Sequence, residues 1–178
     1  AARVEIVRLL KAMIERLPAD GAFPQADIAL EGTLESSLTG SAAVDVEETF
    51  RRALADNRPR DRAAGRSLEG PHRSDLIVRH RPKDMPAALC STGEQKALLT
   101  GLVLSHARLV ADLTGAAPIL LLDEIAAHLD AGRRAALFDI LIELDCQAFM
   151  TGTDRGLFSS LDGRARFLTV SGGTVTPD

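Results

Sequence analysis

The sequence predicts an α/β chain with a largely parallel sheet flanked by helices and further helices ahead of it. Three observations carry this. From residue 75 onward strand-like and helix-like patterns alternate in series, the order that packs helices over parallel strands. The run Ile119-Leu120-Leu121-Leu122 is unbroken apolar sequence, as in a strand buried on both faces, and it stops at Asp123-Glu124. Before it, Ser91 followed by Glu94 forms a Ser-x-x-Glu capping box that opens a long helix.

Taken in order, residues 3–17 place Val7, Leu10, Ile14 and Leu17 on one helix face, and Pro18 with Asp20-Gly21 ends that helix. Residues 27–31 alternate weakly and read as a strand. Residues 44–57 read as a second helix with Val46, Phe50 and Leu54 on one side, after which Pro59 and the Arg/Gly-rich stretch to Gly70 break the pattern. Residues 75–79 form a strand, Pro82 and Pro86 bracket a turn, and the capped helix runs from Ser91 to about residue 112. After the strand at 119–122, Asp130 caps a helix that lines up Leu137, Ile140, Leu141 and Leu144. Residues 148–151 form another strand, and 166–176 a hairpin around Gly172-Gly173. The opening Ala1-Ala2-Arg3 lacks a Met and reads as a cut end of a longer polypeptide.

With 46% hydrophobic residues the chain has the material for a core. Its longest uncharged apolar stretches fall short of the roughly 20 residues that a bilayer requires, so no membrane span is expected. Two distant cysteines, Cys90 and Cys146, suggest neither a disulfide framework nor a zinc site. Six Phe with no Trp or Tyr argue against a base-stacking surface. Residues 51–83 hold ten Lys/Arg against four acids, a local +6 in a chain of net charge −4. Arg58, Arg60 and Arg62 are candidate contacts to a DNA backbone within this band, which otherwise reads as a solvated, salt-bridged surface. The four histidines are scattered without ligand spacing and read as surface or hydrogen-bonded residues.

Asp123 and Glu124 stand at the carboxyl end of a strand, where α/β sheets place ligands. Neighbouring strand residues point to opposite faces, so the two acids can share a site only if the strand ends or bends there. Asp123 would then hold Mg²⁺ through a water, and Glu124 would orient or deprotonate an attacking water. The helix start Ser91-Thr92-Gly93-Glu94 offers a hydroxyl, a close-approach glycine and free N–H groups, either as a plain cap or as a phosphate site. No Gly-x-x-x-x-Gly-Lys-Ser/Thr phosphate loop occurs in the 178 residues.

The Ser91 start, the hydrophobic-Asp-Glu strand and Leu129-Asp130 together resemble the signature, Walker B and D-loop of an ABC-type (P-loop NTPase) ATPase. The added segment Gly70-Pro71-His72-Arg73-Ser74-Asp75-Leu76 resembles the C-terminal portion of the RecF family, bacterial DNA replication and repair proteins. That family usually reads Gly-Pro-His-Arg-Asp-Asp, so Ser74 departs from it, as Thr92 and Glu94 depart from the transporter signature. The strand ending Met150-Thr151-Gly152-Thr153 stands where transporters carry a switch His, and none is present.

The resemblance implies a remnant of a helical arm with a basic linker over residues 1–66, an ATPase lobe over residues 67–178, and for the whole a cytoplasmic, ATP- and Mg²⁺-dependent DNA-binding factor. It would act in the response to DNA damage with RecO and RecR mediators to help load RecA at gaps. Ser91 and Gly93 would contact the γ-phosphate held by a second subunit, and Asp130 would lie in the loop at the seam of that homodimer. Slow ATP hydrolysis is expected of the full-length dimer, and none of the present segment alone. An SMC-like protein, a transporter subunit, or a non-catalytic DNA-binding or dimerisation module are the alternatives.

Overall fold

The periodicity at the amino end is realised as α1 (Ala2–Glu15), which buries Leu10, Met13 and Ile14. The computed structural model describes residues 2–178, and its contacts divide into two compact units, Ala1–Leu109 and Val110–Asp178. Leu17 continues the buried face of α1, and Gln25 Nε2 donates to its carbonyl at 2.6 Å, satisfying an acceptor left over at the helix end. The chain then turns into β1 (Ala26–Glu31), whose Ala26 and Ile28 point into the core while Asp27 and Ala29 face outward.

Strand β1 pairs antiparallel with β2 (Asp75–His80), Ala26 opposite His80 through Glu31 opposite Asp75, and β3 (Met85–Pro86) adds to the far edge of β2. Pro86 therefore belongs to a short edge strand, where its missing N–H costs no ladder bond. The helices between β1 and β2, α2 (Thr33–Ser37), α3 (Ala43–Asp56) and α4 (Arg58–Ala64), are an excursion from one antiparallel pair. The residue 66/67 division implied by the resemblance lies inside this first unit, because β1 pairs with β2 across it.

Two local readings change here. Pro59 does not break the helical pattern: it lies in the first turn of α4, where its N–H would have no partner, and the helix ends instead at Gly65 with φ 64°. The apolar side of α3 is not buried, for none of its residues is, and Leu54 is exposed.

The Gly70–Leu76 segment acts as a clasp. Gly70 has φ 143°, a conformation that favours glycine, and a Cβ there would lie 3.0 Å from the His72 ring. Pro71 opens a 3-10 turn, and its carbonyl accepts from Arg3 Nη1 at 2.9 Å. Ser74 Oγ donates to Glu35 Oε2 at 2.6 Å, and Arg3 Nη2 pairs with Glu35 Oε1 at 3.1 Å. Glu35, 9% exposed, is thus a buried acid with both oxygens partnered. His80 departs from the reading of the histidines: it is 6% exposed and its Nδ1 has no hydrogen-bond partner among the described residues.

Helix α5 (Thr92–Thr114) crosses from one unit into the next. By length and composition it is apolar enough to cross a membrane, and within it Ala97, Leu98, Leu104 and Ala107 are at most 2% exposed while Leu99 and Leu113 are exposed. In the second unit, β4 (Leu120–Leu122) pairs parallel with β5 (Ala148–Met150), and α6 (Ala131–Glu143) joins them. Phe138 of α6 stacks on Phe158 with ring centroids 6.0 Å apart. The chain ends in the hairpin β6 (Leu168–Ser171) and β7 (Thr174–Pro177), turned by Gly172 and Gly173, both at positive φ.

The α/β class holds, but among the described residues parallel pairing is confined to β4 and β5. The expectation of a strand buried on both faces also needs correction: Leu120 is 8% exposed, whereas Leu121 is 76% and Ile119 61% exposed. Each strand of the pair has one neighbour, and one face of the pair is open.

The clasp yields a stability prediction. A Cβ at Gly32 would fall 2.3 Å from Glu35 Oε2 and 2.6 Å from Ser74 Oγ, both held in place, so Gly32→Ala should cost about 2 kcal/mol in urea unfolding. The Ser74 hydroxyl holds the Glu35 carboxyl below its ordinary value of 4.5. That contribution is present above the ordinary value and fades as pH falls through the lowered one. The urea midpoint should drop as pH falls below about 4.5, and drop less in Ser74→Ala.

Candidate functional site

Parallel register places the candidate acids. Leu122 is opposite Met150, and one step on, Thr151 N donates to the Leu122 carbonyl at 3.2 Å, so Thr151 arrives beside Asp123. Its hydroxyl donates to Asp123 Oδ1 at 2.5 Å and accepts from the Glu124 N–H at 2.9 Å. Glu124 has φ 48° and ψ 20°, a left-handed conformation uncommon for a residue with a side chain, and it leads into a 3-10 turn, Ile125–His128. The strand has ended by this point, so the opposed directions of adjacent strand residues no longer separate the acids. Both carboxylates are exposed.

Asp123 offers one exposed carboxylate at the strand end. Among the described residues no group of three or more His, Cys, Asp or Glu is arranged to hold a metal ion. A lone carboxylate suits Mg²⁺ that keeps several waters and takes its remaining ligands from a nucleotide's phosphates. Asp130 caps α6, accepting from Arg133 N at 2.9 Å, and this bond holds its carboxyl below the ordinary value.

Ser91 and Gly93 belong to the first unit. The capping box forms as the spacing predicts: Ser91 N donates to Glu94 Oε2 at 2.9 Å and Glu94 N lies 3.4 Å from Ser91 Oγ. Sequence reasoning missed Lys83, whose ammonium pairs with Glu94 Oε1. That ion pair first, and the Ser91 backbone bond second, hold the Glu94 carboxyl down at about 2. Ser91 Oγ also donates to Glu94 Oε2 at 2.9 Å. A Cβ on Gly93 would meet nothing within 4 Å, so internal packing does not require glycine in this first turn, where it weakens a helix by about 0.5–1 kcal/mol.

Arg58, Arg60 and Arg62 are exposed on α4, with Arg60 Nη1 donating to Asn57 Oδ1 at 3.3 Å. Arg51 and Arg52, in the same basic band, pair with Glu48 at 2.9 Å each, so that part of the band is self-neutralised.

No protein-family model matches the chain. Its similarity to individual proteins is extensive: it is 75% identical over 177 residues to the DNA replication and repair protein RecF of Mesorhizobium japonicum, covering 99% of this chain and 47% of that protein. Over almost its whole length the chain is similar to RecF proteins. The RecF of Brucella abortus is 70% identical over 176 residues, again across 99% of this chain and 46% of the relative. The chain thus spans about half the length of the curated RecF proteins it matches. Two solved structures share the fold over 99% of the chain and 45% of their own length. The recombination mediator protein RecF-ATPrS in the RecFOR pathway has a TM-score of 0.76 at 19% identity, and RecF-ATP has 0.72 at 21%. The α/β fold anticipated from the sequence is the fold these structures share.

The site's electrostatics are open to direct measurement. The Glu94 carboxyl resonance should titrate near about 2, and Lys83→Met should move it up toward its ordinary value of 4.5. Because the folded value is the lower one, the capping contribution of Glu94 should persist at neutral pH and be lost progressively as pH falls from about 4.5 through about 2.

Proposed function

We propose that this chain is part of a RecF-type recombination mediator, an ATP-dependent, DNA-binding protein of DNA repair. In this reading residues 67–178 supply an ATPase lobe and residues 1–66 belong to the arm. The observation that carries the reading is the pair Asp123-Glu124 at the carboxyl end of a parallel strand, gathered by one hydroxyl just past the neighbouring strand. The RecF relatives and the fold support it independently.

The chemistry assigned to each residue follows from its place. Asp123 is the carboxylate for Mg²⁺, whose charge would neutralise the β- and γ-phosphate oxygens. Glu124, beyond the strand end, orients or deprotonates the attacking water. Ser91 and Gly93 stand at the positive end of a 23-residue helix, and in this reading the Ser91 hydroxyl, which the capping box holds on Glu94, would turn with the Gly93 N–H to the γ-phosphate of a nucleotide held by a second subunit. The open space around Gly93 supports an approach from outside the chain. Asp130, capping α6, would lie at the seam of that homodimer. The mediators of the RecFOR pathway are the partners this reading implies, and the cytoplasm its compartment.

For DNA, the exposed Arg58, Arg60 and Arg62 suit backbone phosphates, with no sequence readout. The scarcity of aromatic residues agrees with contacts of that kind.

Three measurements decide the reading. In the intact protein, Glu124→Gln should reduce ATP hydrolysis by about a hundredfold or more while ATP binding persists, and an unchanged rate would support a non-catalytic module instead. The 178-residue chain by itself should bind Mg-ATP weakly in calorimetry, since it has no phosphate loop. Replacing Arg58, Arg60 and Arg62 together with Ala should weaken DNA binding and flatten its salt dependence by about 2–3 in the log–log slope.

A further inference from the structure

We infer that Thr151 is a positioning residue for the hydrolytic pair, its hydroxyl fixing Asp123 and Glu124 in one arrangement. The inference rests on the proposed ATPase reading of those acids. A threonine hydroxyl has one proton and two lone pairs. Here the proton goes to Asp123 Oδ1 at 2.5 Å, and a lone pair receives the Glu124 N–H at 2.9 Å. One oxygen therefore orients the carboxylate assigned to Mg²⁺ and pins the backbone from which the water-directing carboxylate extends.

The second bond has a consequence beyond its own strength. Glu124 holds a left-handed backbone, φ 48° and ψ 20°, that a residue with a Cβ leaves readily unless its surroundings retain it. With the Glu124 amide released, the turn is free to relax and the carboxylate moves with it.

The hydroxyl is itself firmly placed. Behind it, β5 holds Thr151 N to Leu122 O at 3.2 Å. Ahead of it, Phe158 lies so close to Gly152 that a Cβ there would stand 2.7 Å from the ring, and Phe158 in turn stacks on Phe138. A buried aromatic pair thus fixes the backbone on the far side of Thr151. Being already committed to both acids, the hydroxyl fits a role acting through them better than a role in sensing the nucleotide.

The test uses the intact protein with Thr151→Val, which keeps the shape and removes the hydroxyl, and Thr151→Ser, which keeps the hydroxyl. Thr151→Val should lower kcat by about tenfold or more and raise the Mg²⁺ concentration at half-maximal rate several-fold, with an unchanged melting temperature. Thr151→Ser should restore both. Independently of activity, the Glu124 amide should be protected from hydrogen exchange in the unsubstituted protein and lose about tenfold of that protection in Thr151→Val. Wild-type kcat and Mg²⁺ dependence in Thr151→Val, where Glu124→Gln is inactive, would overturn the positioning role and leave the ATPase reading standing. If Glu124→Gln also hydrolyses ATP normally, that reading fails and the positioning role with it. Should Thr151→Val not fold, an unprotected Glu124 amide in the unsubstituted protein would by itself overturn the proposal.

Discussion

Parallel pairing of β4 with β5 is the constraint on which the candidate acids depend. Ladder bonds fix which residues stand opposite one another, and a shift of one residue would turn every side chain to the other face. With Leu120 opposite Ala148 and Leu122 opposite Met150, the first residue past β5 is carried to the first residue past β4. That residue is Thr151, and its neighbour is Asp123. A three-residue ladder thus converts an apolar run into a place where two acids and a hydroxyl meet.

Around this ladder the second unit is held by apolar packing. Leu137, Phe138 and Leu141 bury one side of α6, and Phe158 packs against Phe138 while pressing on Gly152. In the first unit, antiparallel strands and α1 share a core through Ile14, Ile28 and Leu98. Polar contacts then tie down what apolar packing leaves loose. Glu35 gathers Arg3 and Ser74, and Glu94 gathers Lys83 and Ser91. Both carboxyls are held below their ordinary values by these partners.

Ser74 illustrates how one departure from a family pattern is accommodated. Most RecF-like sequences, by the resemblance noted above, place an acid where this chain has Ser74. Here that position faces the buried Glu35, and a hydroxyl can donate to a carboxylate that a second carboxylate would repel. The Gly-Pro-His-Arg segment, which sequence alone left without a role, proves to be the turn that delivers Ser74 and the Pro71 carbonyl to this clasp.

Much of the fold was legible in the residues because it depends on local patterns. The 3-4-3 spacing of Val7, Leu10, Ile14 and Leu17, the Ser91–Glu94 box, Asp130 before α6 and the Gly172-Gly173 turn all act within a few residues, and each appears as read. The site was legible as a strand end with two acids and as a helix start with a hydroxyl and a glycine. Strand partners were not legible, since nothing in residues 27–31 shows that they pair antiparallel with 75–80 across three intervening helices. Nor was burial: Ile119 to Leu122 is uniformly apolar, yet only tertiary pairing decided that Leu120 is covered and Leu121 is not. Lys83 beside Glu94, and Thr151 between Asp123 and Glu124, come together from positions 11 and 28 residues apart. Sequence determined which groups were present and which short-range caps and turns they make; the tertiary structure decided which groups meet, because hydrogen bonds and ion pairs depend on distance in space.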